Sequence, residues 1–201
     1  MAGYYYTTPV HDLIHPSQLS TYSSLAGALT PAPPPSQFTS PNRERVPQIA
    51  CKRISTPIFS PIAFDYFSQA RQGVALRDFS VKSQGAVNQI VAGANEPVLA
   101  NTGLQKIDLR VMWLGYEHVD CSFTFPVNRT TTKGQLGAHI AKQFRKFCDK
   151  AASSSIAVGD WCIGPGSISF DHLYLVALYS FGDNVCQADI AVDPTPVHGD
   201  K

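Results

Sequence analysis

The residues able to do chemistry are five cysteines and six histidines spread over 201 residues, and their spacing builds few constellations. Cys121 and Cys148 share the chain with His118, His139 and His172, the residue types needed for a thiolate nucleophile and its base. Their neighbours point to packing instead. Cys121 stands among Val119, Phe123 and Phe125, Cys148 lies on an apolar helical stripe, and Cys186 alternates with Ala188, Ile190 and Val192. A thiol in such surroundings keeps its proton and is inert. The cysteine number is odd and no C-x-x-C occurs, which argues against a disulfide framework or a structural zinc site.

Three other patterns carry a chemical suggestion. His11 and His15 stand four apart, so a helix there would turn both imidazoles to one metal, but Asp12 stands where a zinc protease helix has its basic Glu, and Pro16 follows at once. Gly159 and Gly164-Pro165-Gly166 resemble a phosphate-cradling loop, yet the next element reads as a strand, so the helix N-terminus that supplies the amide donors is missing. Asp171-His172 pairs an orienting acid with a base, and no nucleophile is placed beside it by spacing. No catalytic residue, metal or cofactor is therefore expected, and a small enzyme ranks last among the readings.

Charge is more informative. Arg129, Lys133, Lys142, Arg145, Lys146 and Lys150 face a single acid, Asp149, although the formal net charge is only +1. Such a cluster suits a phosphate backbone or is simply a solvated helix face, the more ordinary reading, partly balanced by Asp171, Asp183, Asp189 and Asp193 in the last hairpin. The first 61 residues hold ten of the fifteen prolines, and Pro31 to Pro35, with Pro34 inside the run, fits a polyproline segment that docks on aromatic grooves. Thr8-Pro9, Thr30-Pro31, Ser40-Pro41, Thr56-Pro57 and Ser60-Pro61 suit proline-directed phosphorylation, and Tyr4, Tyr5 and Tyr6 are candidate docking anchors.

These residues must be positioned by a small set of elements. Residues 1–59 read as a largely unstructured arm rich in Pro, Ser and Thr, because they bury too little apolar surface to offset their ordering entropy. Pro61 to Gln72 is expected to be a short helix stopped by Gly73, and Ser83 to Ala92 a second, with residues 60–103 packing on the main domain. Ile107, Leu109, Val111 and Trp113 alternate with Lys106, Asp108, Arg110 and Met112, and Val119, Cys121, Phe123 and Phe125 with Asp120, Ser122 and Thr124, so both stretches predict half-buried strands. Thr132 with Gln135 is a capping-box pattern, and Leu136, Ile140, Phe144, Phe147, Cys148 and Ala151 then recur at the helical period. His172 to Phe181 is apolar on both alternating sets, as a central strand would be, and Cys186 to Val192 alternates as a closing strand.

The expected fold is α+β, a four-stranded sheet in the order strand, strand, helix, strand, strand. It is β-grasp-like, with one helix on one face and short N-terminal helices added. The domain would occupy residues 104–193, with 194–201 as a disordered tail. No apolar run reaches the length of about 20 residues that a bilayer demands, and Met1 to Val10 lacks a basic leader region, so an intracellular setting, cytoplasmic or nuclear, is expected.

The stretch Ile107-Asp108-Leu109-Arg110-Val111-Met112-Trp113-Leu114-Gly115-Tyr116-Glu117-His118, with Gln135-Leu136-Gly137 in the following helix, resembles a group of proteins from mushroom-forming fungi. The resemblance spans about Gly73 to Asp193 and implies a fungal, intracellular context without assigning an activity. The expected function is a non-enzymatic protein-interaction module whose arm carries docking or phosphorylation motifs, with nucleic-acid binding by the basic helix as the alternative. Partner identity and oligomeric state do not follow from these residues.

Overall fold

The computed structural model describes residues 38–52, 54–119, 121–154 and 161–194. Its fold is α+β. The strands are β1 (Glu44–Arg45), β2 (Ile62–Ala63), β3 (Val74–Ala75), β4 (Lys106–Arg110), β5 (Ser122–Pro126), β6 (Leu173–Ser180) and β7 (Val185–Val192), and the helices are α1 (Leu76–Val81), α2 (Gln84–Ile90) and α3 (Lys133–Ala152).

The strand-strand-helix-strand-strand order of the sequence is present as β4, β5, α3, β6 and β7, laid out as β5-β4-β7-β6. The central pair β4 and β7 is parallel, with Leu109 opposite Cys186, and the two outer pairs are antiparallel. Among the described residues the sheet has seven strands rather than the expected four. Two-residue strands extend both sides of the β6–β7 hairpin: β1 continues the β7 edge beyond β4, while β2 and β3 share the β6 edge. A pair of residues carries no period, so the alternation that reveals β4 and β5 cannot reveal these.

Helix α3 begins as its capping box dictates. Gln135 N donates to Thr132 Oγ1 (3.3 Å) and Thr132 N donates to Gln135 Oε1 (3.0 Å), so two of the free amides at the helix start find acceptors. Its buried stripe, with Leu136, Ile140, Phe144, Phe147 and Ala151 fully covered, lies on Ile107, Leu109, Leu175, Leu178 and Ile190 of the sheet. Gly137 lets α1 approach, since a Cβ there would run into the Phe79 ring.

The expected helix at 61–72 is absent. Ile62 and Ala63 pair with Leu178 and Ala177, and Phe64 N donates to Val176 O (2.9 Å), so sheet edge bonds replace helical ones. The Asp65 carboxylate then closes the turn by accepting from Gln72 N (3.1 Å), and Gly73, with a positive φ of 74°, leads into β3 and α1. The second short helix is present as α2, capped by Ser83, whose hydroxyl accepts from Ala86 N.

The arm boundary also moves. Residues 38–52, expected to be loose, contribute to the fold: β1 pairs with β7, Val46 is fully buried, and Gln48 Nε2 donates to Ala188 O (2.9 Å). Strand β7 is consequently buried on both faces rather than only on one, because this segment covers the side away from α3. In β6 the two apolar sets are sorted by a bulge at Val176. Leu173 and Leu175 face α3, and after the register shift Leu178 faces it too, leaving Tyr174, Val176 and Tyr179 outside. Among the described residues no helix is long and apolar enough to cross a membrane.

Candidate functional site

The six basic residues do not form one face. Arg129 is exposed in the turn before α3, and Lys133, in the first helical turn, sends its ammonium to Ala92 O (3.2 Å). Lys142, Arg145, Lys146 and Lys150 are exposed on the solvent side of α3, with Asp149 between them. The Arg145 guanidinium lies 4.0 Å from the Phe170 ring centroid and the Lys150 ammonium 5.3 Å from that of Phe123. Both thus fasten the helix flanks to aromatic faces while their charge stays at the surface. Among the described residues no salt bridge engages Lys142, Arg145 or Lys146.

Two of the four acids expected to balance this face do something else. Asp189 and Asp193 are buried on the opposite side of the sheet, paired with Arg45 and Arg43 from the segment around β1. Arg43 also stacks on Tyr174, 3.7 Å from the ring centroid, and donates to Gln72 O (2.8 Å). This layer went unseen in the sequence, because Arg43-x-Arg45 lies in a stretch without apolar periodicity. Its signal was the alternation of Asp189 and Asp193 with apolar residues in a strand that the added segment buries on both faces. With those acids committed, the α3 face is less balanced than the composition suggests.

The histidines are dispersed. His139 stacks on Phe125 (centroids 5.1 Å apart), and partial burial together with Lys142 holds its pKa below the usual imidazole range. His118 Nε2 lies 2.6 Å from Ser154 Oγ at an exposed site near the C-terminal end of α3. That end presents backbone carbonyls, the wrong polarity to steady an oxyanion. His172 borders a cleft of about 900 Å³ lined also by Glu44, Trp161, Pro165, Ser167 and Ser169. Its Nδ1 accepts from Ser169 N (3.2 Å), so a neutral ring there carries its proton on Nε2. Among the described residues neither cysteine nor aspartate lines that cleft.

Three of the five thiols behave as packing groups. Burial pushes Cys148 and Cys186 up to about 12 and Cys51 up to about 11. At neutral pH such groups keep their protons and are poor nucleophiles. Among the described residues no three His, Cys, Asp or Glu side chains gather to hold a metal ion. Tyr4, Tyr5, Tyr6, Pro31 and Pro34 lie outside the described residues, as do His11 and His15, whereas Thr56 and Ser60 are exposed within the folded unit.

Compared with protein-family models, curated proteins and solved structures, the chain matches none.

Proposed function

We propose that the chain is a protein-interaction module on a β-grasp-like scaffold, and that it recognises an acidic partner through the solvent face of α3. The observation that carries this is the exposed group Lys142, Arg145, Lys146 and Lys150, which has one acid among four cations and sits on a helix anchored along its whole opposite side. A rigid cationic helix face costs little ordering on binding, since only the side-chain tips are immobilised. The arm, with its polyproline run and its proline-directed sites, is part of the same proposal as a second, regulatory docking element in an intracellular and fungal setting. The burial that keeps Cys51, Cys148 and Cys186 protonated favours a binding role over one that uses these thiols as nucleophiles.

An acidic protein fits this face better than nucleic acid. Base stacking needs an aromatic face open to solvent, and the rings bordering the cations, Phe170 and Phe123, are already covered by Arg145 and Lys150. The test is a fluorescence anisotropy titration of the full chain with a glutamate-rich peptide and with single-stranded RNA of equal length. We expect tighter binding of the peptide at physiological salt and a fall in affinity as salt rises. Binding of the RNA alone would replace the proposal with the nucleic-acid alternative.

A further inference from the structure

Strand β5 forms one outer edge of the sheet, and the hydrogen bonds at its ends fix which of its backbone groups face outward. Val111 N donates to Cys121 O (2.9 Å) and Val127 N donates to Gln105 O (2.9 Å). Antiparallel partners alternate between pairs that exchange both bonds and pairs that exchange none. With Leu109 opposite Phe123 and Ile107 opposite Phe125, those two phenylalanines point their amides and carbonyls at β4. Thr124 therefore turns its N–H and C=O away from the sheet, at an exposed position, and the Pro126 carbonyl follows the same phase.

A row of α3 side chains borders this edge. His139 lies over Phe125 and Lys150 over Phe123, so this flank of the helix runs alongside β5. At 3.6 residues per turn, Lys146 projects within about 20° of His139 and about 40° of Lys150, with Lys142 about 60° from His139 toward solvent. The other face of the edge is different in character: Thr124 Oγ1 donates to the Asp108 carboxylate, which would repel a second acid.

We propose that the β5 edge accepts an extended segment of the partner as an added antiparallel strand. This rests on the acidic recognition proposed above and specifies its form. The added residue opposite Thr124 shares that residue's side of the sheet and is uncharged, and its two neighbours, pointing to the α3 side, are acidic and meet Lys142, Lys146 and Lys150. The partner motif is thus an alternation of acidic and uncharged residues at the period of a strand. A second copy of this chain does not fit, because pairing β5 with β5 would set two cationic rows against each other. Pro126, which has no amide hydrogen, limits the addition to a short segment.

The experiment uses the full chain and a blocked peptide of alternating glutamate and threonine, with two versions N-methylated on the backbone, one at its threonines and one at its glutamates. In the antiparallel pairing, the threonine amides bond to β5 and the glutamate amides face solvent. Methylation at threonine is expected to weaken binding at least ~10-fold, roughly the loss of one or more backbone hydrogen bonds, and methylation at glutamate to leave it near the parent. Hydrogen exchange should show the Thr124 amide slowed in the complex and the Phe123 and Phe125 amides unchanged. Equal binding of all three peptides, weakened by Lys142→Glu with Lys146→Glu, would overturn strand addition and leave acidic recognition standing. No binding of the parent peptide at low salt would overturn both.

Discussion

Replacing Arg45 with methionine is expected to cost about 3 to 5 kcal/mol of folding stability, the usual consequence of removing one partner from a buried ion pair. The Asp189 side chain is fully buried, and Arg45, whose own side chain is 14% exposed, places a guanidinium nitrogen directly on its carboxylate. The two come from strands 144 residues apart, so their contact ties the segment around β1 to the sheet. Arg45 already pays for this position, since its Nε is buried without an acceptor. Removing the guanidinium leaves a fully buried carboxylate that has lost its counter-ion. The double variant Arg45→Met with Asp189→Leu should recover most of the loss, because an apolar pair of similar volume replaces a buried ion pair at little cost. Urea unfolding of both variants checks this. A single variant as stable as the parent, or a double variant no better than the single, would show that the pair is not a tie between segment and sheet.

The second large effect is expected at Phe147. Its ring is fully buried and touches three others: Trp113 (centroids 5.8 Å apart), Tyr116 (5.9 Å) and Phe144 (6.2 Å). Phe147→Ala should destabilise by about 3 to 5 kcal/mol through lost transfer energy and an unfilled cavity. It should also act locally. Trp113 Nε1 donates to Trp161 O (2.9 Å), and the Tyr116 hydroxyl accepts from Ile163 N (2.8 Å), so two rings resting on Phe147 hold the segment that lines the His172 cleft. Amide exchange at Ile163 should therefore speed up more than exchange at Leu136 or Ile140. Uniform acceleration across the chain would mean that the aromatic cluster supports the whole core and not this segment in particular.

What was legible in the sequence follows from how many residues each element spends on its own signal. Helix α3 is long enough for its apolar stripe and its Thr132–Gln135 cap to agree, and β4 shows five alternating residues. Strands β1, β2 and β3 offer two residues each, and their positions are set by pairing with β6 and β7 far along the chain. The helix expected at 61–72 had a favourable proline and a plausible face, but the unpaired edge of β6 offered those backbone groups better partners. Arg43 and Arg45 looked like ordinary arm residues because the acids that hold them lie about 150 and 144 residues away. Of the six basic residues, the four on the α3 surface were legible from helical periodicity alone. The diversion of Lys133 to a backbone carbonyl and the flank occupied by Arg145 depended on neighbours that only the fold brings near.

The cationic face of α3 is tested most directly by a charge swap. The full chain and its Lys142→Glu, Lys146→Glu variant would each be titrated by anisotropy with a glutamate-threonine peptide and with its lysine-threonine counterpart. Thermal melts would confirm that the variant, altered only at exposed positions, stays folded. We expect the variant to lose at least ~10-fold in affinity for the acidic peptide, about 1.4 kcal/mol, and to gain affinity for the basic one. A variant that binds the acidic peptide as tightly as the parent does would contradict the assignment of recognition to this helix face.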